Sequence, residues 1–221
     1  MEDVLDLYAE PYDTRRPQVC FDESPVQLIS EMRRPLPARP GQPACYDYEY
    51  RREGTANLFL FVQPLRGWRH VNVTARRTKR DFALQMRELV DVHLPEAELI
   101  RIVVDNLNTH TPAALYETFA PAEARRITRK LEFHYTPKHG SWLNMAECEF
   151  AVLAQQCLDR RLPDIETLGR EIAAWQAPRN LNQTRINWCF GTTDARVELK
   201  RLYPSVSEKE QLLETGQIRA A

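Results

Sequence analysis

The chain of 221 residues is long enough for one domain with a sizeable hydrophobic core, and it could barely hold two small ones. A hydrophobic share of 43% and a charged share of 28% are ordinary for a globular protein, which excludes a disordered chain. The formal net charge of -1 argues against a protein that binds nucleic acid by its overall charge.

The cysteines and the first residues indicate the compartment. There are five cysteines, an odd number without a CxxC pair, which argues against a disulfide framework and a classical zinc site. The acidic start, MEDVLDLYAE, does not resemble a signal peptide, and no apolar run approaches the length of a membrane span. We therefore expect a protein of the reducing cytoplasm with no membrane partner.

The first half of the chain predicts a short strand, a loop and a hairpin. After a polar, helix-compatible segment that ends near Arg16, the apolar residues 19–21 predict a short buried strand. Four prolines between residues 33 and 44 exclude a regular helix and predict an irregular loop. The segments NLFLFV (57–62) and WRHVNVT (68–74), joined by QPLRG, then predict an antiparallel hairpin.

The second half of the chain alternates between helices and strands. The predicted order is a helix over 79–92, a strand over 99–104, a helix over 112–119, a strand over 131–135, and helices over 144–158 and 165–177. This order predicts an α/β fold with a mixed five-stranded sheet flanked by helices. The ribonuclease H-like fold has the same order of elements, which is an analogy of folds.

Two aspartates directly follow predicted strands. Asp22 comes after the apolar run 19–21, and Asp105 comes after LIRIVV. If the two strands are neighbours in one sheet, both carboxylates lie at one place, where a hard cation such as Mg²⁺ would find the oxygen ligands it prefers. The alternative is that each aspartate is only a turn residue or a helix N-cap.

The glutamates of the helix at 144–158 leave two choices for a third acid. Glu147 and Glu149 flank the apolar face of this helix on opposite sides, so periodicity does not choose between them. Glu147 also fits a capping box with Asn144, a role that needs no metal.

Four blocks of the sequence resemble a known family. The segments VCFDES, VVDNLNTH and PKHGSWLNMAECEF resemble the catalytic blocks of insertion-sequence DDE transposases of the Tc/mariner superfamily, and NWCFGTTDAR resembles their C-terminal block. The likeness extends from Val19 to Tyr203. It places the three catalytic, metal-binding acids on Asp22, Asp105 and Glu147. The spacing from Asp105 is longer than in mariner-type enzymes, so Glu149 stays open as the third acid.

The resemblance implies a domain organisation and a reaction. It implies a lead segment at 1–17, a ribonuclease H-like catalytic domain at 18–204 and a tail at 205–221. It further implies that two Mg²⁺ or Mn²⁺ ions support hydrolysis of a phosphodiester at transposon ends and then strand transfer into target DNA. A homodimer acting on DNA in the bacterial cytoplasm or nucleoid is expected. Such transposases carry N-terminal helix-turn-helix domains, so we expect that half to be missing or encoded separately.

Two groups of residues are candidates for contact with DNA. One is a basic cluster, which could also be an ordinary solvated surface; the other lies in the loop before the third acid. The members are Arg76, Arg77, Lys79 and Arg80 in the first group, and His139, Ser141, Trp142 and Asn144 in the second. Tryptophan is more often a core residue than a platform for bases. His110 is expected at the surface or at a helix entry rather than on a metal.

Two other functions fit the same residues. One is a ribonuclease H-like nuclease that cuts nucleic acid without strand transfer. The other is a non-catalytic transposase fragment that pairs with or regulates a full-length enzyme.

Overall fold

A five-stranded mixed sheet forms the centre of the computed structural model, which describes residues 1–203. The strand order is β3-β2-β1-β4-β5, in which β1 pairs antiparallel with β2 and parallel with β4. The β2–β3 pair is antiparallel and the β4–β5 pair is parallel. The strands are β1 (Gln18–Glu31), β2 (Tyr50–Gln63), β3 (Trp68–Thr74), β4 (Ile100–Val104) and β5 (Leu131–Tyr135). The predicted mixed five-stranded sheet is confirmed.

Seven α-helices surround the sheet within residues 1–203. They are α1 (Glu2–Ala9), α2 (Lys79–Glu88), α3 (Pro112–Thr118), α4 (Pro121–Thr128), α5 (Met145–Leu153), α6 (Ile165–Leu181) and α7 (Thr192–Glu198). Helices α2 and α5 continue into π-helical turns, at Leu89–His93 and Ala154–Leu158. The sequence predicted α2, α3, α5 and α6, and it described the segment of α1 as helix-compatible. It did not predict α4, a short charged helix that begins at Pro121, or α7. None of the helices in the described part of the chain is both long and apolar enough to cross a membrane.

Alternate residues of the strands bury two separate apolar layers. Phe21, Phe59 and Phe61 pack on one face of the sheet with α2, α3 and α4. Cys20 and Leu60 pack on the other face, with α1, α5 and α6. Because side chains alternate along a strand, residues next to each other in sequence serve opposite layers. The result is a three-layer arrangement of helices, sheet and helices.

Strand β1 is much longer than predicted, and this corrects the position of Asp22. The prediction ended the strand at Phe21, whereas β1 continues to Glu31 and pairs Asp22 with Leu60 of β2. The polar residues that follow Asp22 gave no apolar signal, but the ladder with β2 orders them as far as Glu31, which pairs with Tyr50. Asp22 therefore projects from within a strand, whereas Asp105 does follow the end of β4.

Two further parts of the chain frame the domain. Residues 33–44 form a loop with only isolated bridges, such as Leu36 with Cys45, as the prolines predicted. Helix α1, inside the segment assigned to 1–17, buries Val4 and Leu5 in the core, and the Tyr8 hydroxyl donates to the Leu143 carbonyl at 2.8 Å. The predicted tail at 205–221 lies outside the described residues.

Candidate active site

The register of two parallel strands sets Asp22 beside Asp105. In the β1–β4 ladder, Val19 pairs with Ile102 and Cys20 with Val103. The same offset, continued by two residues, places Asp22 level with Asp105. Asp22 shares the face of Cys20, which is the side of α5, and the charge of Asp105 acts on it there. The sheet itself therefore brings the first two acids together.

Asn144 fixes the start of α5 against β1. Its side-chain oxygen accepts from the Ala146 amide at 3.2 Å, and its side-chain nitrogen donates to the Phe21 carbonyl at 2.8 Å. Phe21 directly precedes Asp22, so this one side chain ties the first turn of α5, which carries Glu147, to the strand of the first acid. The backbone N–H of Asn144 donates to Ser141 rather than to Glu147, so the capping box considered from the sequence is not formed.

The pKa of Asp22 reports the closeness of the other two acids. Burial raises the pKa of this carboxyl to about 7, a hydrogen bond from the Glu23 amide opposes the rise, and the charges of Asp105 and Glu147 add to it. A negative charge on Asp22 is thus unfavourable while its neighbours are charged. The structure brings together all three acids that the sequence indicated.

His110 holds Asp105 from the opposite face of the sheet. The imidazole is fully buried, its Nδ1 bonds Asp105 Oδ1, and its Nε2 lies 3.5 Å from Glu23 Oε2. Burial works against the charged imidazole, but Asp105 and Glu23 outweigh it and raise the pKa of His110 to about 9. The ring also packs edge-on against Phe21 at 5.3 Å between ring centres. His110 is therefore a buried cation that orients Asp105. Of the two places expected for it, the helix entry is right, because it directly precedes the N-cap of α3, and the surface is wrong.

Glu23 was not predicted as a site residue. It follows Asp22 in the strand, so its side chain turns to the other face of the sheet, where it lies beside His110 and 3.7 Å from Arg77. The only signal for it was adjacency to Asp22, and that signal becomes informative only once β1 is known to continue past Asp22.

Glu149 has a structural role. It is 1% exposed, and its carboxylate accepts from Arg69 Nε at 2.8 Å and from Arg179 at 3.0 and 3.2 Å. This anion compensates the charges of both arginines. Arg69 depends on it most, because Arg69 is itself fully buried. Glu147 is exposed, two residues earlier in α5, and its charge acts on Asp22. The geometry therefore favours Glu147 over Glu149 as the third acid.

The three acids have the donor chemistry of a divalent metal site. Carboxylate oxygens are the ligands that Mg²⁺ and Mn²⁺ prefer. Asp22 is destabilised as an anion by burial and by Asp105 and Glu147, and the Glu23 amide and His110 offset this only in part, so a cation among the acids would stabilise them further. Asp22, Asp105 and Glu147 thus fit the metal that their residue types suggest.

One member of the basic cluster, Arg77, lies beside Glu23. Arg76, Arg77 and Arg80 are exposed, and the ion pair between Arg77 and Glu23 brings this loop next to His110. Lys79 instead pairs with Glu117 of α3 at 2.8 Å. Arg76 and Arg80 are therefore more available to a phosphate than Lys79 and Arg77, which already pair with a carboxylate.

The loop before α5 borders an open cavity. The cavity measures ≈ 420 Å³ and is lined by Asp105, Lys138, His139 and Ser141 among others. His139 adopts a left-handed backbone with φ 64, which is uncommon for a residue with a side chain. A Cβ on Gly140 would meet the Pro137 ring at 2.6 Å, so this turn admits no larger residue without movement.

The surroundings of Trp142 and Asn144 in this loop differ from those expected. Trp142 is 42% exposed and packs with Trp188 and Phe190, whose ring centres lie 6.4 and 5.6 Å away, so it is not a core residue. Asn144 is completely buried as the cap of α5, which leaves it no surface for DNA. The expectation that Asn144 contacts DNA is therefore wrong.

This mixed sheet, with helices on both faces, has the ribonuclease H-like fold. Residues 17–169 match the family of DDE superfamily endonucleases, and the chain belongs to this family. No curated protein is similar enough in sequence to match it.

Three solved structures of the Mos1 mariner transposase share the fold. The paired end complex with Mn matches with a TM-score of 0.54 at 17% identity, over 79% of this chain and 52% of that chain. The Mos1 strand transfer complex matches with a TM-score of 0.55 at 16% identity, over 79% and 50% of the two chains. The pre-cleavage Mos1 transpososome gives 0.53 at 15% identity, over 84% and 60%. The chain thus spans between half and three fifths of the Mos1 chains, and the likeness defines the fold.

Replacing Asp22 with Asn is expected to stabilise the protein in a chelating buffer. The folded-state pKa of about 7 lies above the ordinary value of 3.8, so the folded protein binds the proton more tightly and wild type loses stability as pH rises through this window. Asp22→Asn removes that loss. Its free energy of unfolding relative to wild type should therefore rise by roughly 2 kcal/mol between about pH 5 and about pH 8. Urea unfolding with EDTA at both pH values measures this difference in unfolding free energy. A difference that shrinks as pH rises contradicts the raised pKa of Asp22.

Proposed function

We propose that this chain is the catalytic domain of a DNA transposase that hydrolyses phosphodiester bonds at transposon ends and transfers the freed strand to target DNA. The observation that carries the proposal is the meeting of Asp22, Asp105 and Glu147, where the pKa of Asp22 rises to about 7. Membership of the DDE superfamily endonucleases supports the nuclease step. The strand transfer step is supported by the likeness in fold to a Mos1 strand transfer complex.

Asp22, Asp105 and Glu147 would hold the divalent metal, Mg²⁺ or Mn²⁺. When bound, such ions supply activation of the attacking water and stabilisation of the leaving 3′ oxygen. Two such ions are expected from the resemblance to DDE transposases. His110 orients Asp105 and Asn144 positions Glu147 through α5, so the chain fixes two of the acids by buried side chains.

DNA would lie across the edge formed by the basic cluster and the loop before α5. Arg76, Arg77 and Arg80 are exposed, Arg77 lies beside Glu23, and all three suit contacts with backbone phosphates. The exposed ring of Trp142 suits stacking on an unpaired base. His139 and Ser141 border the cavity next to Asp105, where a phosphate near the acids would be within reach.

The partners and the compartment belong to the proposal as well. Joining two transposon ends requires two active sites, which supports a homodimer acting on DNA. A helix-turn-helix half that reads the transposon ends stays a prediction from the family resemblance. The five free cysteines support a reducing compartment, the bacterial cytoplasm or nucleoid.

The test is a pair of DNA assays with the purified chain. Supercoiled plasmid should be nicked in the presence of Mn²⁺ and left intact with EDTA. A labelled duplex with a free 3′ hydroxyl should then become joined to an unlabelled plasmid under the same conditions. Nicking without joining would identify a nuclease that lacks strand transfer, and absence of both reactions would contradict the proposal.

A further inference from the structure

A second group of possible metal ligands lies on the other side of the sheet from the three acids. His70 of β3 pairs with Phe61, whose side chain belongs to the layer covered by α2. Asp22 pairs with Leu60, which belongs to the opposite layer. The group formed by His70, Glu88 and His93 is therefore separated from the acids by the sheet itself. Within residues 1–203 it is the one set of three such residues whose ligand atoms all lie within 4.8 Å.

The distances in this group match those around a small tetrahedral ion. Glu88 Oε1 lies 3.4 Å from His70 Nε2 and 3.3 Å from His93 Nε2. Ligand atoms about 2.1 Å from a tetrahedral zinc ion lie roughly 3.4 Å from one another. Both imidazole nitrogens are buried and lack a hydrogen-bond partner within the described chain, although they face the carboxylate. Buried nitrogens of this kind usually have a partner, and a cation would provide one.

The backbone is shaped to bring Glu88 and His93 together. In a regular α-helix residues five apart point about 140° away from each other. Here α2 passes at Glu88 into the π-helical turn Leu89–His93, closed by a hydrogen bond of 2.9 Å from the Leu94 amide to the Leu89 carbonyl. The wider turn moves His93 to the side of Glu88. Such turns are rare and often occur at functional sites.

The surroundings hold the ligands in place. The second carboxylate oxygen of Glu88 accepts from the Asn72 side chain at 2.8 Å, and Gln85 accepts from the same amide group at 2.7 Å. This leaves Oε1 free to face the histidines. Groups that hydrogen-bond to metal ligands commonly orient them in this way. The Trp68 ring covers His93 at 5.2 Å between centres, and the two imidazole rings lie 4.2 Å apart. Burial and the neighbouring His70 lower the pKa of His93, which keeps a nitrogen lone pair available.

The geometry points to a binding site for Zn²⁺ or a similar transition-metal ion at His70, Glu88 and His93, distinct from the three acids. Two imidazoles and one carboxylate suit zinc better than magnesium, which prefers oxygen ligands alone. His93 also lines an open cavity of ≈ 480 Å³, through which the ion and a water ligand can enter. The bound ion links the edge strand β3 to the end of α2, so its role is to stabilise this side of the sheet.

Cobalt(II) spectroscopy separates the two sites. A tetrahedral site with imidazole ligands gives an intense visible d–d band, whereas a site of carboxylates and water gives a weak one. The full chain, freed of metal by chelation, is titrated with Co²⁺ and then with Zn²⁺, which should displace the band at about one ion per chain. Zinc should also raise the melting temperature of wild type.

Four variants decide the outcome. His93→Gln and Glu88→Gln should each weaken binding by at least about 100-fold, because loss of a ligand exceeds the effect of losing an outer partner. Asp105→Asn should leave the band unchanged. The matched control is His134→Gln, because both nitrogens of His134 already bond Asp3 and Glu132, at 2.8 and 2.9 Å. Melting curves in EDTA establish that each variant folds. No band in wild type, or a band that survives in His93→Gln and Glu88→Gln but is lost in Asp105→Asn, overturns the assignment.

Discussion

Asp105→Asn is expected to lower Mn²⁺-dependent nicking of DNA by roughly 1,000-fold, the scale on which loss of one strong electrostatic contact at a reacting centre acts. Asp105 follows β4 level with Asp22, and His110 fixes its orientation from the opposite face. The amide keeps the shape of the side chain and removes its negative charge. Because a hard cation depends on that charge, the variant should bind DNA but fail to cut it. A plasmid nicking time course measures the ratio of rates.

Asp91→Asn is the matched control for this experiment. The same Asp-to-Asn change is made here in a surface ion pair, in which Arg126 donates to both carboxylate oxygens of Asp91 at 2.6 and 2.8 Å. Exposed ion pairs contribute at most about 1 kcal/mol, so this variant should cut DNA like wild type. Asp105→Asn also removes one of the two anions beside His110, so its melting temperature is measured in parallel. A folded Asp105→Asn variant that nicks at the wild-type rate would sink the assignment of the metal site.

The sheet could be predicted from the sequence because its central strands contain runs of buried apolar residues and β3 alternates between apolar and polar residues. The residues 58–62 of NLFLFV are all buried in the apolar layers, as are Ile100 and 102–104 of LIRIVV, and strands form at both segments. The first residues of β2, from Tyr50 to Thr55, are exposed and carry no such pattern. They are ordered by pairing with β1, an interaction between distant parts of the chain that local periodicity does not contain.

The site was predictable to a smaller extent. Asp22 and Asp105 stand out because they follow apolar runs, although Asp22 proved to be inside a strand. His110 and Glu23 act through a contact across the sheet, which depends on the register of β1 and on the fold of the segment after β4. A histidine in a polar stretch gives no sign that it is fully buried. The choice between Glu147 and Glu149 likewise required the positions of Arg69 and Arg179.

Glu147→Gln is expected to lose activity but keep its stability, and Glu149→Gln is expected to lose stability. Glu147 is exposed and has no ion pair recorded in the described chain, so its replacement should change stability by no more than about 0.5 kcal/mol. Nicking should nevertheless fall by roughly 1,000-fold, as for Asp105→Asn, because the third carboxylate is lost. Glu149→Gln should cost about 3–5 kcal/mol, since a buried charge pair loses its anion while Arg69 and Arg179 keep their charges.

The two variants serve as controls for each other, because they make the same chemical change two residues apart on α5. Urea unfolding with EDTA gives the stability of each, and nicking is measured at a temperature at which both remain folded. Glu149→Gln should then retain most of its activity, since its carboxylate faces the arginines rather than Asp22. A stable Glu149→Gln variant without activity, beside an active Glu147→Gln variant, would move the third acid to Glu149. It would also require α5 to turn by more than a side-chain rotation, because the Asn144 cap and the Arg69 pair both hold the helix in its present orientation.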